Sequence, residues 1–319
     1  MPTLAPLPQP PRRILVGASS AEAVAARIAH ARPDLELRAV PHTAVTAADL
    51  AWADAYVGFR RPPVADLGAV RWVHSTGAGV DPWLAPGALP DRILLTRSPE
   101  SFGPAIAEWT LARMLAFTQA LPALAAAQAV ARWAEPPIRR LAGTRALVVG
   151  TGDIGSAIAR VLSALGVEVT GVSRSGRTTD APFAAVHPTA ALPTLVPACD
   201  WLILVVPDTP ETRGLVSREL LARCRGAVLL NAGRGASVDE SAIPEALEAG
   251  CLRGAALDVF ATEPLPPDSP LWRDPRVLIS PHCSGPTTVE GAADGFVECL
   301  ATLERGERPR WAIDRARGY

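Results

Sequence analysis

The chain has 319 residues, 49% of them hydrophobic, which suggests two domains with sizeable cores. Lys plus Arg number 31 and Asp plus Glu 32, a near-balance that argues against a nucleic-acid partner or a polybasic membrane contact. Five scattered cysteines (Cys199, Cys224, Cys251, Cys283, Cys299) form no CxxC pair and no metal spacing, so reduced thiols in a cytoplasmic protein and no bound metal are expected.

The opening "MPTLAPLPQPPRR" is Pro-rich, lacks the apolar core of a signal peptide and reads as a loose leader. Short apolar runs then alternate with Ala-rich helical segments. "RILVG", "LELRAV", "AYVGF", "RWVHS" and "RILLT" read as strands, and "SAEAVAARIAHA" as a helix. A helical pattern follows from Ser101 to Phe117 and another to about Trp133. The run Met114–Val130 is mostly Ala with Gln119, Pro122 and Gln128, and reads as buried helix rather than a membrane span. A second α/β series begins at "RALVVG" and continues through "VEVTGVS", "WLILVV", "AVLLNAG", "GAALDVF" and "RVLIS". Continuous apolar runs of this kind are the mark of buried parallel strands. A last helix runs from after Pro286 to about Arg305. The expected boundaries give residues 1–98 with 288–319 as one domain and 99–287 as another.

Gly150-Thr151-Gly152-Asp153-Ile154-Gly155 matches G-x-G-x-x-G at a strand-to-helix junction. Gly150 permits a tight turn, Gly152 a close backbone approach to a pyrophosphate, and Gly155 close helix–strand packing. The helix opening at about Gly155 offers free N–H groups at its N-terminus to phosphate, and Asp153 and Ile154 are expected among the cofactor contacts. The residue that meets the adenine ribose should sit at the end of the next strand, about 20 residues on. That residue is Ser173, 18 past Gly155, followed by Arg174 and Arg177. No carboxylate is there to repel a 2′-phosphate, and guanidiniums can bond one. NADP(H) is therefore the expected cofactor, with NAD possible.

Five ordered segments carry a resemblance: "VHSTGAGVD" (73–81), "GTGDIG" (150–155), "VVPDTPETRGLV" (205–216), "LLNAGRGASVDESAI" (229–243) and "GAALDVFATEPLPPDSPLWRDPRVLISPHCSG" (254–285). Together they resemble the D-isomer-specific 2-hydroxyacid dehydrogenase family. The resemblance implies an α/β fold in which a Rossmann dinucleotide-binding domain is inserted in a flavodoxin-like substrate domain made by both ends of the chain. It assigns Arg234 to the substrate carboxylate, His282 to proton transfer and Glu263 to holding the imidazole. The residue types suit those tasks. A guanidinium grips a carboxylate in fork geometry, histidine ordinarily titrates near 6.5, and a carboxylate on the ring favours its charged form. The resemblance also assigns the Ala78 and Gly79 amides to the substrate carboxylate. Val206, Pro207, Ala232, Arg234, Asp258, His282, Ser284 and Gly285 are implied to touch the cofactor.

These readings converge on an NADPH-linked reductase of small 2-oxo acids, of the glyoxylate or hydroxypyruvate kind. Cleft closure between the domains is expected to exclude water, and a homodimer joined through the cofactor domain at Ser101–Trp133 is expected. The alternatives are an NAD-linked dehydrogenase for another substrate and, from a different class, a nucleotide-sensing, corepressor-like binding protein. A chain stopping at Tyr319 leaves no room for the regulatory domain of phosphoglycerate dehydrogenases. Two positions depart from the family pattern. The acid of its NAD-using members is replaced by Ser173-Arg174, and Cys283 follows the histidine where an aliphatic residue is usual, so oxidation of Cys283 near the nicotinamide is expected to inhibit.

Overall fold

A computed structural model describes residues 10–18, 20–85, 87, 89–98, 102–177 and 180–318. Most of the Pro-rich leader, and Ser101 at the expected start of the long helix, lie outside the described residues. The chain divides into two compact units. Unit 1 comprises Met1–Phe102 with Thr287–Tyr319, and unit 2 is Gly103–Pro286.

Unit 1 is built on five parallel strands: β1 (Arg13–Val16), β2 (Glu36–Ala39), β3 (Ala55–Val57), β4 (Trp72–Ser75) and β5 (Leu94–Arg97), in the order β2-β1-β3-β4-β5. This is the flavodoxin-like order, which reverses direction between β1 and β3. The central strands β3 and β4 are buried at every residue, as expected where helices cover both faces. Helix α1 (Ala21–Ala31) buries Ala21, Val24, Ala25 and Ile28, the stripe that a 3.6-residue period dictates. Helix α2 (Ala47–Trp52) starts with a capping box between Thr46 and Asp49. Helix α3 (Asp81–Leu84) is a single turn after the β4 loop.

Unit 2 opens with α4 (Phe102–Thr118) and α5 (Leu121–Ala129). The two successive helices are those expected, but the run Met114–Val130 is not buried throughout. Ala120 adopts a left-handed conformation (φ 50) and breaks the run, and α5 buries only Ala127. Leu121, Val130 and Trp133 are left largely exposed. An Ala-rich apolar run carries no information on which side is covered, so its composition alone is misleading here.

The rest of unit 2 is a seven-stranded parallel sheet: β6 (Arg145–Val149), β7 (Glu168–Ser173), β8 (Ala185–Pro188), β9 (Trp201–Leu204), β10 (Ala227–Asn231), β11 (Leu252–Leu257) and β12 (Val277–Ile279). Its order, β12-β11-β10-β9-β6-β7-β8, is that of a Rossmann sheet with the switch point between β6 and β9. Strand β8 is absent from the sequence reading. Its "AVHP" is short, half-exposed and ends in proline, the composition of an edge strand. Helix α6 (Asp153–Ala164) follows β6, and α7 (Leu192–Leu195), α8 (Arg218–Leu221) and α9 (Ile243–Glu248) are short connectors.

The last helix, α10 (Val289–Glu304), belongs to unit 1 and is N-capped by Thr288, whose Oγ1 accepts the Gly291 N–H at 3.0 Å. It buries Ala292, Ala293, Phe296, Cys299 and Leu300. Phe296 stacks on Trp72 with centroids 4.8 Å apart. Beneath it lies His74, fully buried, its Nδ1 2.7 Å from Thr96 Oγ1 and its Nε2 2.7 Å from Ser98 Oγ. His74 is thus a satisfied core histidine. Burial pushes its pKa down to about 3. The folded value lies below the unfolded one, so the stabilisation is complete above about pH 6.5 and is lost as pH falls. Between pH 8 and pH 5 the wild type should lose about 2 kcal/mol more unfolding free energy than His74→Asn, measured by urea denaturation. Equal losses would contradict this account of His74.

Candidate active site

The glycine loop lies at the β6/β9 switch point, and each glycine has its own reason to be there. Gly150 has φ +106 and sits under the Val205 carbonyl, where an added Cβ would be 2.7 Å from that oxygen. At Gly155 a Cβ would lie 1.8 Å from the Gly150 carbonyl oxygen, so helix and turn can meet only through glycine. Gly152, the N-cap of α6, faces open space, with nothing within 4 Å of a Cβ position. The first-turn amides around Asp153 and Ile154 therefore front a space that a pyrophosphate can enter. The residues present fit a dinucleotide.

Strand β7 ends at Ser173, whose Oγ accepts the Gly176 N–H at 3.1 Å and closes the turn. Arg174 and Arg177 extend from this turn and are exposed. The Glu211 carboxyl is held below its ordinary range chiefly by its own backbone N–H and the Thr209 hydroxyl, with the Arg174 charge adding to the effect. Glu211 belongs to the 205–213 loop. That loop is locked by Thr212, whose Oγ1 accepts the Thr209 N–H at 2.9 Å and lies 2.6 Å from the Pro207 carbonyl oxygen. Val206 and Pro207 occupy its start, directly after β9.

Arg234, Glu263 and His282 follow β10, β11 and β12, three neighbouring strands. The turn after β10 is held by Asn231. Its Oδ1 accepts the Gly233 N–H at 3.1 Å and its Nδ2 donates to the Arg234 carbonyl at 3.0 Å. The Ser237 hydroxyl donates to that same carbonyl at 2.7 Å. Ala232 is pinned to β9 through the Leu204 carbonyl at 3.1 Å. The Arg234 guanidinium is half-buried, with Nη1 donating to the Gly233 carbonyl at 2.7 Å. Gly235 brings this turn against the next one, since a Cβ there would meet the Phe260 carbonyl carbon at 1.9 Å.

The Glu263 Oε1 accepts the Phe260 N–H at 3.0 Å, and its Oε2 meets His282 Nδ1 at 2.8 Å. The His282 side chain is about half exposed (49%). Its Nε2 has no partner among the described residues and is the nitrogen left to a reactant. His282 has φ 51, a conformation unusual for a residue with a Cβ.

Asp258 explains how that conformation is kept. Its Oδ1 accepts from Ser280 Oγ (2.6 Å) and Cys283 N–H (3.0 Å), its Oδ2 from Ser284 N–H (2.9 Å), and its carbonyl from His282 N–H (2.8 Å). Trp109 on α4 extends the chain by donating to Ser280 Oγ at 3.0 Å. Asp258, expected on the cofactor, is 0% exposed, and its side chain lies beneath the loop, bonded to Ser280, Cys283 and Ser284. The Ser284 amide is likewise spent on Asp258, which leaves Gly285 and the outer edge of the loop for other contacts. Cys283 is exposed beside His282.

In unit 1, Ala78 and Gly79 lie in the loop after β4. Arg97 Nη1 donates to the Ala78 carbonyl at 2.6 Å, and Ser75 Oγ donates to the Gly79 carbonyl at 3.3 Å. With both carbonyls tied down, neither amide has a partner among the described residues. Trp109, Asn231, Thr212, Ser237 and Ser280 are supporting residues that the sequence reading does not include. Only Asn231, next to a glycine turn, carries a local signal. Among the described residues no His, Cys, Asp or Glu cluster could hold a metal ion, and no helix is long and apolar enough to cross a membrane.

A glycine loop at a Rossmann switch point, with an arginine and a Glu–His pair on the neighbouring strand ends, defines a dinucleotide-dependent oxidoreductase. The family model described as "D-isomer specific 2-hydroxyacid dehydrogenase, NAD binding domain" matches residues 111–284. A glyoxylate/hydroxypyruvate reductase A from Serratia proteamaculans is 34% identical over 271 residues, covering 81% of this chain and 86% of the relative. Two solved structures are similar over nearly the whole chain. One is a D-isomer specific 2-hydroxyacid dehydrogenase from Xanthobacter autotrophicus Py2 in complex with NADPH and MES, with TM-score 0.88 and 32% identity, covering 97% of this chain and all of that one. The other is an NADPH-dependent glyoxylate/hydroxypyruvate reductase from Sinorhizobium meliloti in complex with NADP and sulfate, with TM-score 0.86 and 30% identity, covering 96% and 99%. The chain belongs to the D-isomer specific 2-hydroxyacid dehydrogenase family. It is an NAD(P)-dependent oxidoreductase acting on CH–OH groups.

Asp258→Asn should lower kcat about tenfold to a hundredfold, the worth of a hydrogen bond to a charged group. Cofactor affinity, read by nucleotide fluorescence, should change little. A loss confined to cofactor binding would contradict the positioning role.

Proposed function

We propose that this enzyme reduces small 2-oxo acids of the glyoxylate or hydroxypyruvate kind and prefers NADPH. The observation that carries the chemistry is the 2.8 Å contact from His282 Nδ1 to Glu263, which orients the ring and leaves Nε2 for the reactant. Bound NADP(H) supplies the hydride. Arg234 is suited to hold the substrate's carboxylate in fork geometry, and the Ala78 and Gly79 amides of unit 1 are suited to receive a carboxylate. His282 Nε2 gives its proton to the carbonyl oxygen as that oxygen gains charge, so a 2-hydroxy acid leaves and water reprotonates the imidazole. Glu263 keeps the imidazolium in register. The oxidative direction runs through the same groups with the proton returning to Nε2.

The cofactor preference rests on the end of β7, where Ser173 replaces a carboxylate and Arg174 and Arg177 stand ready for a 2′-phosphate. The cofactors named for the two similar structures and the reductase name of the Serratia relative support this reading. The roles of Gly150, Gly152, Asp153, Ile154, Gly155, Val206, Pro207, Ala232, Ser284 and Gly285 in cradling the cofactor are part of the same proposal. A homodimer is proposed through the exposed apolar side chains Leu121, Val130, Trp133 and Ile138, which a monomer leaves in water.

His282→Gln should lower kcat by roughly 10²–10⁴ with KM nearly unchanged, the range for loss of a positioned acid. Arg234→Ala should raise KM as well. Near-normal turnover in the His282 variant would remove the proposed acid. A panel of 2-oxo acids assayed with both cofactors should give a higher kcat/KM with NADPH, and the preference should fall in Arg174→Ala with Arg177→Ala. A preference for NADH would overturn the 2′-phosphate assignment.

A further inference from the structure

Three buried polar groups of unit 2 lie behind His282 and take no part in the chemistry proposed above. They are Trp109 on α4, Asp258 directly after β11 and Ser280 directly after β12. Trp109 and Ser280 are 171 positions apart in the chain, yet the fold brings them into contact. Buried this deeply, their polar atoms find partners within the protein.

The donor and acceptor capacities of the three groups give the chain of bonds one direction. An indole N–H only donates, and an ionised carboxylate only accepts. A hydroxyl does both but has a single proton. Trp109 Nε1 is 3.0 Å from Ser280 Oγ, so the hydroxyl oxygen accepts there. Its one proton is then left for Asp258 Oδ1, at 2.6 Å. A hydroxyl turned toward α4 would set its proton against the indole N–H. The indole therefore fixes the hydroxyl rotor on Asp258.

Asp258 passes the constraint on. The oxygen that receives the Ser280 hydroxyl also receives the Cys283 amide at 3.0 Å, and the other receives the Ser284 amide at 2.9 Å. Between these attachments the His282 N–H is shared by the Asp258 carbonyl at 2.8 Å and the Ser280 carbonyl at 3.1 Å. One carboxylate thus grips the chain on both sides of His282, whose φ is 51. A residue with a Cβ keeps such a conformation only where its surroundings over-determine it.

We propose that Trp109 and Ser280 are positioning residues for the reduction. The indole N–H aims the Ser280 hydroxyl at Asp258, and Asp258 holds the loop that presents His282. The inference rests on the reading of His282 as the acid and deepens it, since it extends the machinery to a side chain on a distant helix.

Steady-state kinetics of the full-length enzyme with glyoxylate and NADPH test it, each variant being assayed well below its own melting temperature. Ser280→Ala should lower kcat about tenfold to a hundredfold, the worth of a hydrogen bond to a charged group, with KM little changed. Ser280→Thr keeps the hydroxyl and should restore most of the rate. Trp109→Phe should lower kcat about threefold to tenfold, the worth of one neutral hydrogen bond. In the Ser280→Ala background it should lower kcat no further, because the N–H then has no hydroxyl to steer. Hydrogen exchange reads the loop without turnover. The Cys283 and Ser284 amides should exchange about tenfold faster in Ser280→Ala. Unchanged exchange at those amides, an unchanged kcat in Ser280→Ala, or an equal loss from Trp109→Phe in both backgrounds, as packing alone predicts, would overturn the proposal. Normal turnover in His282→Gln together with the faster exchange would instead remove the acid and leave the hold of Trp109 and Ser280 on the loop.

Discussion

Asp258 is a carboxylate with no exposure to water, sealed under the last loop of the Rossmann sheet. An unpaired buried charge would be severely destabilising, so its oxygens must be fully used. They are, and every donor comes from the segment Ser280–Ser284. The constraint runs both ways. The loop satisfies the charge, and the charge holds the loop in a form that puts His282 at φ 51. The strained backbone of a residue central to the proposed chemistry is thus supported by the most deeply buried acid around it. The Glu263–His282 contact, the free Nε2 and the neighbouring arginine turn all presuppose that arrangement.

The same logic of strand ends repeats across unit 2. Parallel strands β6, β9, β10, β11 and β12 deliver the glycine loop, the Thr212-locked loop, Arg234, Glu263 and His282 to one edge of the sheet. Each turn is fastened by a short side chain that the chemistry does not consume. Asn231 fastens Gly233 and Arg234, Thr212 fastens Pro207, and Ser280 joins Trp109 to Asp258. Positioning of this kind is how a site keeps its groups within productive geometry before a substrate arrives.

Much of this is legible from residues alone, because buried parallel strands are continuous apolar runs and a glycine loop has a fixed spacing. The strands through "VLIS" are placed by that rule, and so is the turn at Gly150–Gly155. Other features depend on partners that no local pattern reveals. Asp258 reads from its motif as a contact to the cofactor, and the three donors gathered around its carboxylate are visible only in the fold. His74 lies beside the Ala78–Gly79 loop in sequence but points into the core between Thr96 and Ser98. "AVHP" is too short and too polar to announce an edge strand. In the stretch Met114–Val130 alanine suits helix whether or not anything covers it, so the exposure of Val130 and Trp133 escapes a composition-based reading, although the division into two helices does not.

The account turns on one arrangement, in which Arg234 grips a carboxylate while His282 Nε2 reaches the neighbouring carbonyl oxygen. A crystal structure of the enzyme with NADPH and the unreactive 2-oxo acid analogue oxamate tests it most directly. The account predicts oxamate's carboxylate on the Arg234 guanidinium and its carbonyl oxygen about 3 Å from His282 Nε2, with Glu263 still on Nδ1. Oxamate bound at full occupancy with neither Arg234 nor His282 in contact would contradict it.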